Sequence, residues 1–359
     1  MAEWSRVLHT TLKDFIKKRE VNVLRNRKLT ALLQSKGRVT FNNSGNSMEW
    51  RVEYKQVSLG DGYADMDSLT FARRDRFLLA ELPWRGYAMT DAVSLKEKLM
   101  NKGKEAIIRV LSETAELLLS NAEELFGEEL YVDGNATGNE RRIHGIESFL
   151  GTSGANAGGF IGTPDDNFAG LDTDLAAYGG TWTGNWPAGT GTSDYDFWSP
   201  IIVDYTDTAW AAATKTWPNT CLEALRYGII KSQRSKAKTG MLTVIVLTDD
   251  LYKEFLDKLA TSERIVVERG QKQSPLIALG YNDVVSYDGV DVTWEYGVPA
   301  TVGYGFNCDM MELRSLQNGL FEPITPVFDE NTLADRFALT MFANCKWNPR
   351  HFVKWDNIT

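Results

Sequence analysis

Residues 90–127 read TDAVSLKEKLMNKGKEAIIRVLSETAELLLSNAEELFG. Met100, Ile107, Leu111, Leu118, Ala122 and Leu125 fall on one face at helical spacing, interrupted only by Gly103. The start is signalled either by Thr90 or by the capping box Ser94-x-x-Glu97, and the stop by Gly127. A helix is therefore expected over 91–126. About 36 residues at 1.5 Å each make a rod of roughly 54 Å. A compact chain of this length has a radius of gyration near about 21 Å, so the rod would cross the whole molecule. The apolar face is not a strict a/d heptad and no partner helix is evident, which argues against a coiled coil.

On the N-terminal side the period changes from 3.6 to 2. Trp50, Val52 and Tyr54 alternate with Arg51, Glu53 and Lys55 after an Asn-Asn-Ser-Gly-Asn turn at 42–46. The polar, acidic stretch 58–70, SLGDGYADMDSLT, leads to Arg73, Arg74 and Arg76 and then to the apolar run Phe77 to Leu82. Residues 41–82 thus read as a two-stranded projection whose tip has too few apolar residues to fold onto its own domain. An isolated hairpin is marginal in water, so another subunit should support it. Before it, residues 5–19 show helical spacing, with a second short helix expected around Leu24 to Leu33 and a stop at Gly37.

On the C-terminal side comes a turn-rich link, residues 130–151, and then a shift to Gly, Thr, Ala and Asp over 151–200, with Trp182, Trp186 and Trp198. This reads as a long irregular insertion. An α/β pattern returns from Trp217: a helix from Cys221 to Ser232, a strand from Leu242 to Leu247, a helix from Thr248-Asp249-Asp250 to Leu259, and a hairpin from Val284 to Tyr296 on the Asp288-Gly289 turn. Tyr304-Gly-Phe306, Met311 to Leu320 and Phe337 to Trp347 are extended, and a terminal strand follows Asn348-Pro349-Arg350-His351.

The 359 residues are 43% hydrophobic and 24% charged, which excludes a collagen, a disordered tail and a disulfide scaffold. No run approaches the length of a membrane span, and the start MAEWSRVLHT has no signal-peptide core, so a cytoplasm-like compartment is expected. Cys221, Cys308 and Cys345 are odd in number and outside any C-x-x-C, and are read as free thiols. The net charge of −9 hides a polarity: residues 1–40 carry ten bases against three acids, an arm of +7 before a body of −16. Such an arm suits an acidic protein surface, its own or a neighbour's, although a nucleic-acid-binding arm would look the same.

Chemistry-bearing motifs are few. His9, His144 and His351 lack spaced partners, and Gly151-Thr-Ser153-Gly154-Ala155 misses the final Gly of a nucleophile elbow. No phosphate-binding Gly-rich loop is placed between a strand and a helix. Asp133-Gly-Asn135-Ala-Thr137-Gly138 matches the opening of a calcium loop, but His144 stands where the bidentate Glu belongs, so a Gly-rich turn is the better account. Asp194 and Asp196 lie among Tyr195, Phe197 and Trp198, the company that glycosidase carboxylates keep, but acids at i and i+2 in a Gly/Thr loop are usually just solvated. No catalytic residue, cofactor or metal is expected.

The order of elements, basic arm, projecting hairpin, long helix, Gly-rich link, α/β domain and extended return strands, resembles the major capsid protein of tailed bacteriophages, the Hong Kong 97 fold. Local text agrees. GNATGNERRIHGIESFL (134–150) looks like the family's turn after the spine helix, with Gly134, Gly138, Gly145 and Ile146 in matching places. TVIVLTDDLYKEF (243–255) resembles the strand and helix of the axial domain, YDGVDVTWEYGVPATVGYGFN (287–307) its hairpin and return strand, and ANCKWNPRHFVKW (343–355) the peripheral-domain strand ending in Asn-Pro-Arg.

The resemblance implies an α+β chain divided into an N-terminal arm (1–40), an extended hairpin loop (41–82), a peripheral domain with the spine helix (83–150), an axial domain with a Gly/Trp-rich insertion at 152–198 (151–309), and peripheral return strands (310–359). It implies a non-enzymatic subunit that partners with itself in pentamers and hexamers around double-stranded DNA, without sequence-specific contact and without a membrane. A portal and a separate scaffolding protein are implied partners, since the chain begins almost directly with the arm. The virion is the implied location, with assembly in the host bacterial cytoplasm. No Lys lies between Lys55 and Lys96, so the founding member's Lys–Asn crosslink is not expected. The insertion 152–198 has no counterpart in the smallest members and is expected to decorate the outer surface.

Two contacts between subunits are expected. Asp61, Asp65 and Asp67 at the hairpin tip, clustered opposite Arg73 and Arg74, should meet basic groups on an adjacent subunit. The arm from Lys13 to Lys28, with Lys17, Lys18 and Arg25, should lie under a neighbour's acidic helix face of Glu113, Glu116, Glu123 and Glu124. Two rivals stand beside this reading: an encapsulin-like cargo compartment of the same fold, and a carbohydrate-binding or cleaving module using the Trp-rich insertion.

Overall fold

Val244–Leu247 reads Val-Ile-Val-Leu, an apolar run without a polar position, which suits a strand covered on both faces. The computed structural model describes residues 27–359 apart from 56–64, 66–74, 101–117, 119–120, 123–124, 152–165, 181–192, 207–214, 235–240, 263–274, 282 and 331. In it the strands are β1 (Val39–Thr40), β2 (Ser47–Glu53), β3 (Phe77–Pro83), β4 (Arg85–Ser94), β5 (Asn167–Phe168), β6 (Leu171–Asp172), β7 (Ile201–Asp204), β8 (Val244–Leu247), β9 (Val285–Tyr287), β10 (Val290–Trp294), β11 (Gly303–Phe306), β12 (Glu312–Ser315), β13 (Glu322–Asp329), β14 (Ala334–Lys346) and β15 (Phe352–Asp356). The main helices are α1 (Lys28–Ser35), α2 (Leu95–Met100), α3 (Trp217–Ser232) and α4 (Asp249–Ser262).

A mixed six-stranded sheet, β7-β15-β11-β8-β10-β9, forms the middle layer. One face, with Ile245, Leu247, Val353 and Trp355, packs on Cys221, Leu225 and Ile229 of α3 and on Phe255 of α4. The other face, with Val244, Val246, Tyr304, Phe306 and Phe352, joins the core under the second sheet. That sheet has five strands: β1, β12, β14 and β13 in order, with β4 paired along β14 from Arg85↔Ala343 to Ser94↔Ala334. Alternation along β14 sends Phe337, Leu339, Met341, Ala343 and Cys345 into the core. The fully buried indoles do not lose their N–H bonds: Trp355 donates to Ala224 O at 2.9 Å, Trp217 to Leu251 O at 2.8 Å, and Trp347 to His144 O at 2.7 Å.

Several expectations are met. The helices after Trp217 and Thr248, the strand through Val246, the Asp288-Gly289 hairpin (φ 46° and 81°) and the strand at 304–306 are all present. The three cysteines are free and buried, and burial pushes the Cys221 thiol up to about 11 and Cys308 up to about 12. Gly145 of the link is a close-approach position, where an added Cβ would lie 2.5 Å from Val132 O and 2.6 Å from Leu130 O.

Other expectations are corrected. Thr90 does not open a helix: it lies in β4 opposite Ala338, and α2 begins at Leu95, directly after Ser94. The segment 91–94 is held as strand by its ladder with β14, a long-range pairing that the local pattern does not reveal. Residues 118, 121–122 and 125–129 are helical, while the length of the expected rod rests on residues outside those described. The short arm helix runs Lys28–Ser35 rather than from Leu24. The hairpin stem is supported by its own chain, because Met48, Val52, Ala80 and Leu82 of β2 and β3 enter the main core. The insertion is not all surface decoration: Phe168, Leu171, Phe197 and Trp198 are core residues. Finally, β15 joins the six-stranded sheet between β7 and β11 and does not rejoin the strands of 312–346.

Candidate subunit interface

Alternation in β2 turns Met48 and Val52 inward and leaves Glu49, Arg51 and Glu53 outward. Between this stem and the body lies a cleft of about 900 Å³, bounded by residues 50–55, by 309–312 and by 346–351, with Arg234 at its floor. Six cations (Arg38, Arg51, Lys55, Arg234, Lys346, Arg350) border it against three carboxylates (Glu53, Asp309, Glu312). Arg51 and Lys55 stand exposed on the stem. Asp309 is engaged by Lys36 at 3.3 Å and Arg38 at 3.8 Å, and Glu312 by Arg314 at 2.9 Å and Lys346 at 3.4 Å. Beneath the floor, buried Asp196 meets Arg350 at 2.8 Å and Arg234 at 3.6 Å. Burial, and then the Arg234 and Arg350 charges, push His351 down to about 4.

A second surface is the outer face of the five-stranded sheet. Ala88, Thr90 and Ala92 of β4 stand opposite Thr340, Ala338 and Arg336 of β14, and Ile324 and Val327 of β13 continue the row. Ile324 is 51% exposed, Val327 64% and Phe342 45%. A shallow hollow of about 480 Å³ lies among them. This face has little signal in the sequence, because 91–94 continue a helical pattern and 322–329 show no clean period. The alternation of Ala88, Thr90 and Ala92 was the available signal. On the hairpin, Phe77 and Leu79 are likewise more than half exposed.

Of the residues expected at subunit contacts, Asp65 is described and is exposed. Asp61, Asp67, Arg73, Arg74, Lys17, Lys18, Arg25, Glu116 and Glu123 lie outside the described residues. Lys28, the last cation of the arm segment expected under a neighbour's helix, is instead buried in its own chain. Its ammonium bonds Asp283, Thr293 Oγ1 at 2.9 Å and the Trp294 carbonyl at 2.8 Å, which uses all three of its donors.

Of the remaining chemical candidates, His9, Ser153, Trp182 and Trp186 lie outside the described residues, and His144, Asp133, Asp196 and Trp198 are structural. Burial, with Arg85 nearby, pushes His144 down to about 4, and the ring faces Asn344. Asp133 accepts the Asn135 N–H at 2.8 Å in a turn. Asp196 is committed to two arginines, and Trp198 is buried with its N–H on Phe168 O at 3.2 Å, so neither faces solvent to hold a sugar. Among the described residues no group of three or more His, Cys, Asp or Glu could hold a metal ion, and no helix is long and apolar enough to cross a membrane.

Neither a protein-family model nor a curated protein matches the chain. Among solved structures it is similar to the capsid asymmetric unit of cyanophage A-1(L), with a TM-score of 0.56 and 16% identity over 89% of this chain and 90% of that one. It is also similar to the capsid of a native GTA particle, with a TM-score of 0.52 and 8% identity over 91% of each chain. A further match is the holo-SrpI encapsulin complex of Synechococcus elongatus, with a TM-score of 0.49 and 9% identity over 91% of this chain and 87% of that one. The mixed α+β fold of this chain is that of phage capsid proteins.

Proposed function

We propose that this chain is the major capsid protein of a tailed bacteriophage of the Hong Kong 97 type, and that its copies assemble through pentamers and hexamers into an icosahedral shell around double-stranded DNA. The observation that carries the reading is the likeness to capsid subunits along nearly the whole of both chains. The surfaces support it. A monomer gains nothing from exposing Phe77, Leu79, Ile324 and Val327, whereas a lattice uses such side chains at its joints. A structural role goes with that likeness, and the buried His144, His351 and Asp196 are desolvated or engaged. A portal, a separate scaffolding protein, the virion as location and assembly in the host cytoplasm belong to the same reading.

The hairpin tip then has a receptor. Asp61, Asp65 and Asp67 carry three negative charges, and the cleft borders six cations against three acids. Each copy bears both features, so a tip seated in the next copy's cleft makes a head-to-tail contact of the kind that closes a ring. Reversing all three acids to Lys is expected to block or misdirect assembly, as is the Arg51→Glu, Lys55→Glu pair. Combining the two sets should restore particles; normal particles from the triple variant alone would remove this contact. The arm, with Lys17, Lys18 and Arg25, is assigned to a neighbour's Glu116 and Glu123, and deleting residues 1–26 should lower shell stability. Nuclease-protected DNA inside native particles tests the phage reading; protein cargo without nucleic acid would point to a cargo compartment.

A further inference from the structure

Glu295 follows β10 at the junction between the arm and the body, and its side chain is 5% exposed. Its Oε2 accepts the Leu29 N–H at 3.0 Å. Leu29 is the second residue of α1, and Arg27, at the N-cap position, gives that helix no side-chain cap. The body thus supplies the cap that the arm lacks, across 266 positions of sequence. The buried Tyr131 hydroxyl lies beside this carboxylate and favours its ionised form.

The charged groups around Glu295 come from three directions. Arg27 and Lys28 approach from α1, Tyr131 from the link, and Tyr281 and Asp283 from the segment before β9. Arg27 and then Lys28 pull the carboxylate toward its charged form, but the Lys28 donors are taken by Asp283, Thr293 and Trp294, and its ammonium lies 4.7 Å from the Trp294 ring centroid. Arg27 sends a donor to the Tyr296 carbonyl at 2.9 Å. The carboxylate is therefore desolvated without a contact ion pair from Lys28, and a proton from solvent neutralises it at the least cost.

We propose that Glu295 takes up one proton when α1 seats on the body and returns it to solvent when α1 lifts, so that the arm is held by a pH-sensitive latch. The inference is about one folded chain and does not depend on the shell reading. Its sign follows from burial. Burial pushes the seated carboxyl up from 4.5 to about 7, against the opposing pull of the Leu29 N–H, Arg27, Lys28 and Tyr131. The stabilisation is fully present below the exposed value and is lost as pH rises through about 7. Tyr131 and Tyr281 are pushed above the usual tyrosine value by burial and stay neutral over this range.

Hydrogen exchange of the amides of residues 29–35 in the full-length chain, corrected for intrinsic exchange rates, tests the latch. Between pH 5.5 and 8.5 wild-type protection is expected to fall by about thirtyfold. Glu295→Gln is neutral at every pH and should hold protection constant within about twofold over that range. Wild-type protection that does not change with pH, or a Glu295→Gln variant that keeps the wild-type pH dependence, overturns the proposal. If that variant does not fold, Tyr131→Phe removes a group that favours the ionised carboxylate and should raise the midpoint. An unmoved midpoint overturns the proposal equally.

Discussion

Asp196 sits 7% exposed between the guanidinium groups of Arg234 and Arg350, and burial pushes the Arg234 guanidinium down to about 9 despite the carboxylate beside it. Removing the shared carboxylate strands two cations in a poorly solvated place. Asp196→Asn should therefore cost about 3–5 kcal/mol, read as a lowered midpoint in urea unfolding. A loss under about 1 kcal/mol would show that water already screens the site. Residue types were legible in the sequence, but residue roles were not. Asp196 reads as a solvated loop acid, whereas it is buried between arginines that lie 38 and 154 positions away. For the same reason Glu295 carries no local signal and Lys28 reads as an arm cation for a neighbour, since their partners are on the far side of the chain.

Among elements, those set by local pattern were legible: α3, α4, β8, the hairpin on Asp288-Gly289, and the alternation of β2. Those set by partners were not. Residues 91–94 continue a helical pattern but are strand because β14 lies beside them, and β7 and β13 show no clean period. The hairpin shows both kinds of information. Its inner residues reach their own core, whereas Phe77 and Leu79 on the outer face stand more than half exposed. Phe77→Ser with Leu79→Ser should leave subunit stability within about 0.5 kcal/mol of wild type, as expected for exposed positions. The same pair should sharply reduce particle yield in sedimentation. Unchanged yield would mean that this face does not meet a neighbour.

At the scale of the molecule, the polarity between arm and body has two parts. Lys28 and the cap from Glu295 fix the arm's inner end to its own body, and the cations before Arg27 are the ones the proposed shell assigns to a neighbour. The cleft beneath the hairpin and the apolar sheet face give the body two further surfaces whose chemistry suits another copy of the same chain. The account stands or falls on what the purified chain becomes. Cryo-electron microscopy of the assembled protein should show closed shells of megadalton mass, with rings of five and six copies and each hairpin reaching a neighbour's cleft. A monodisperse species of 40.3 kDa, or a small oligomer, under all assembly conditions would contradict it.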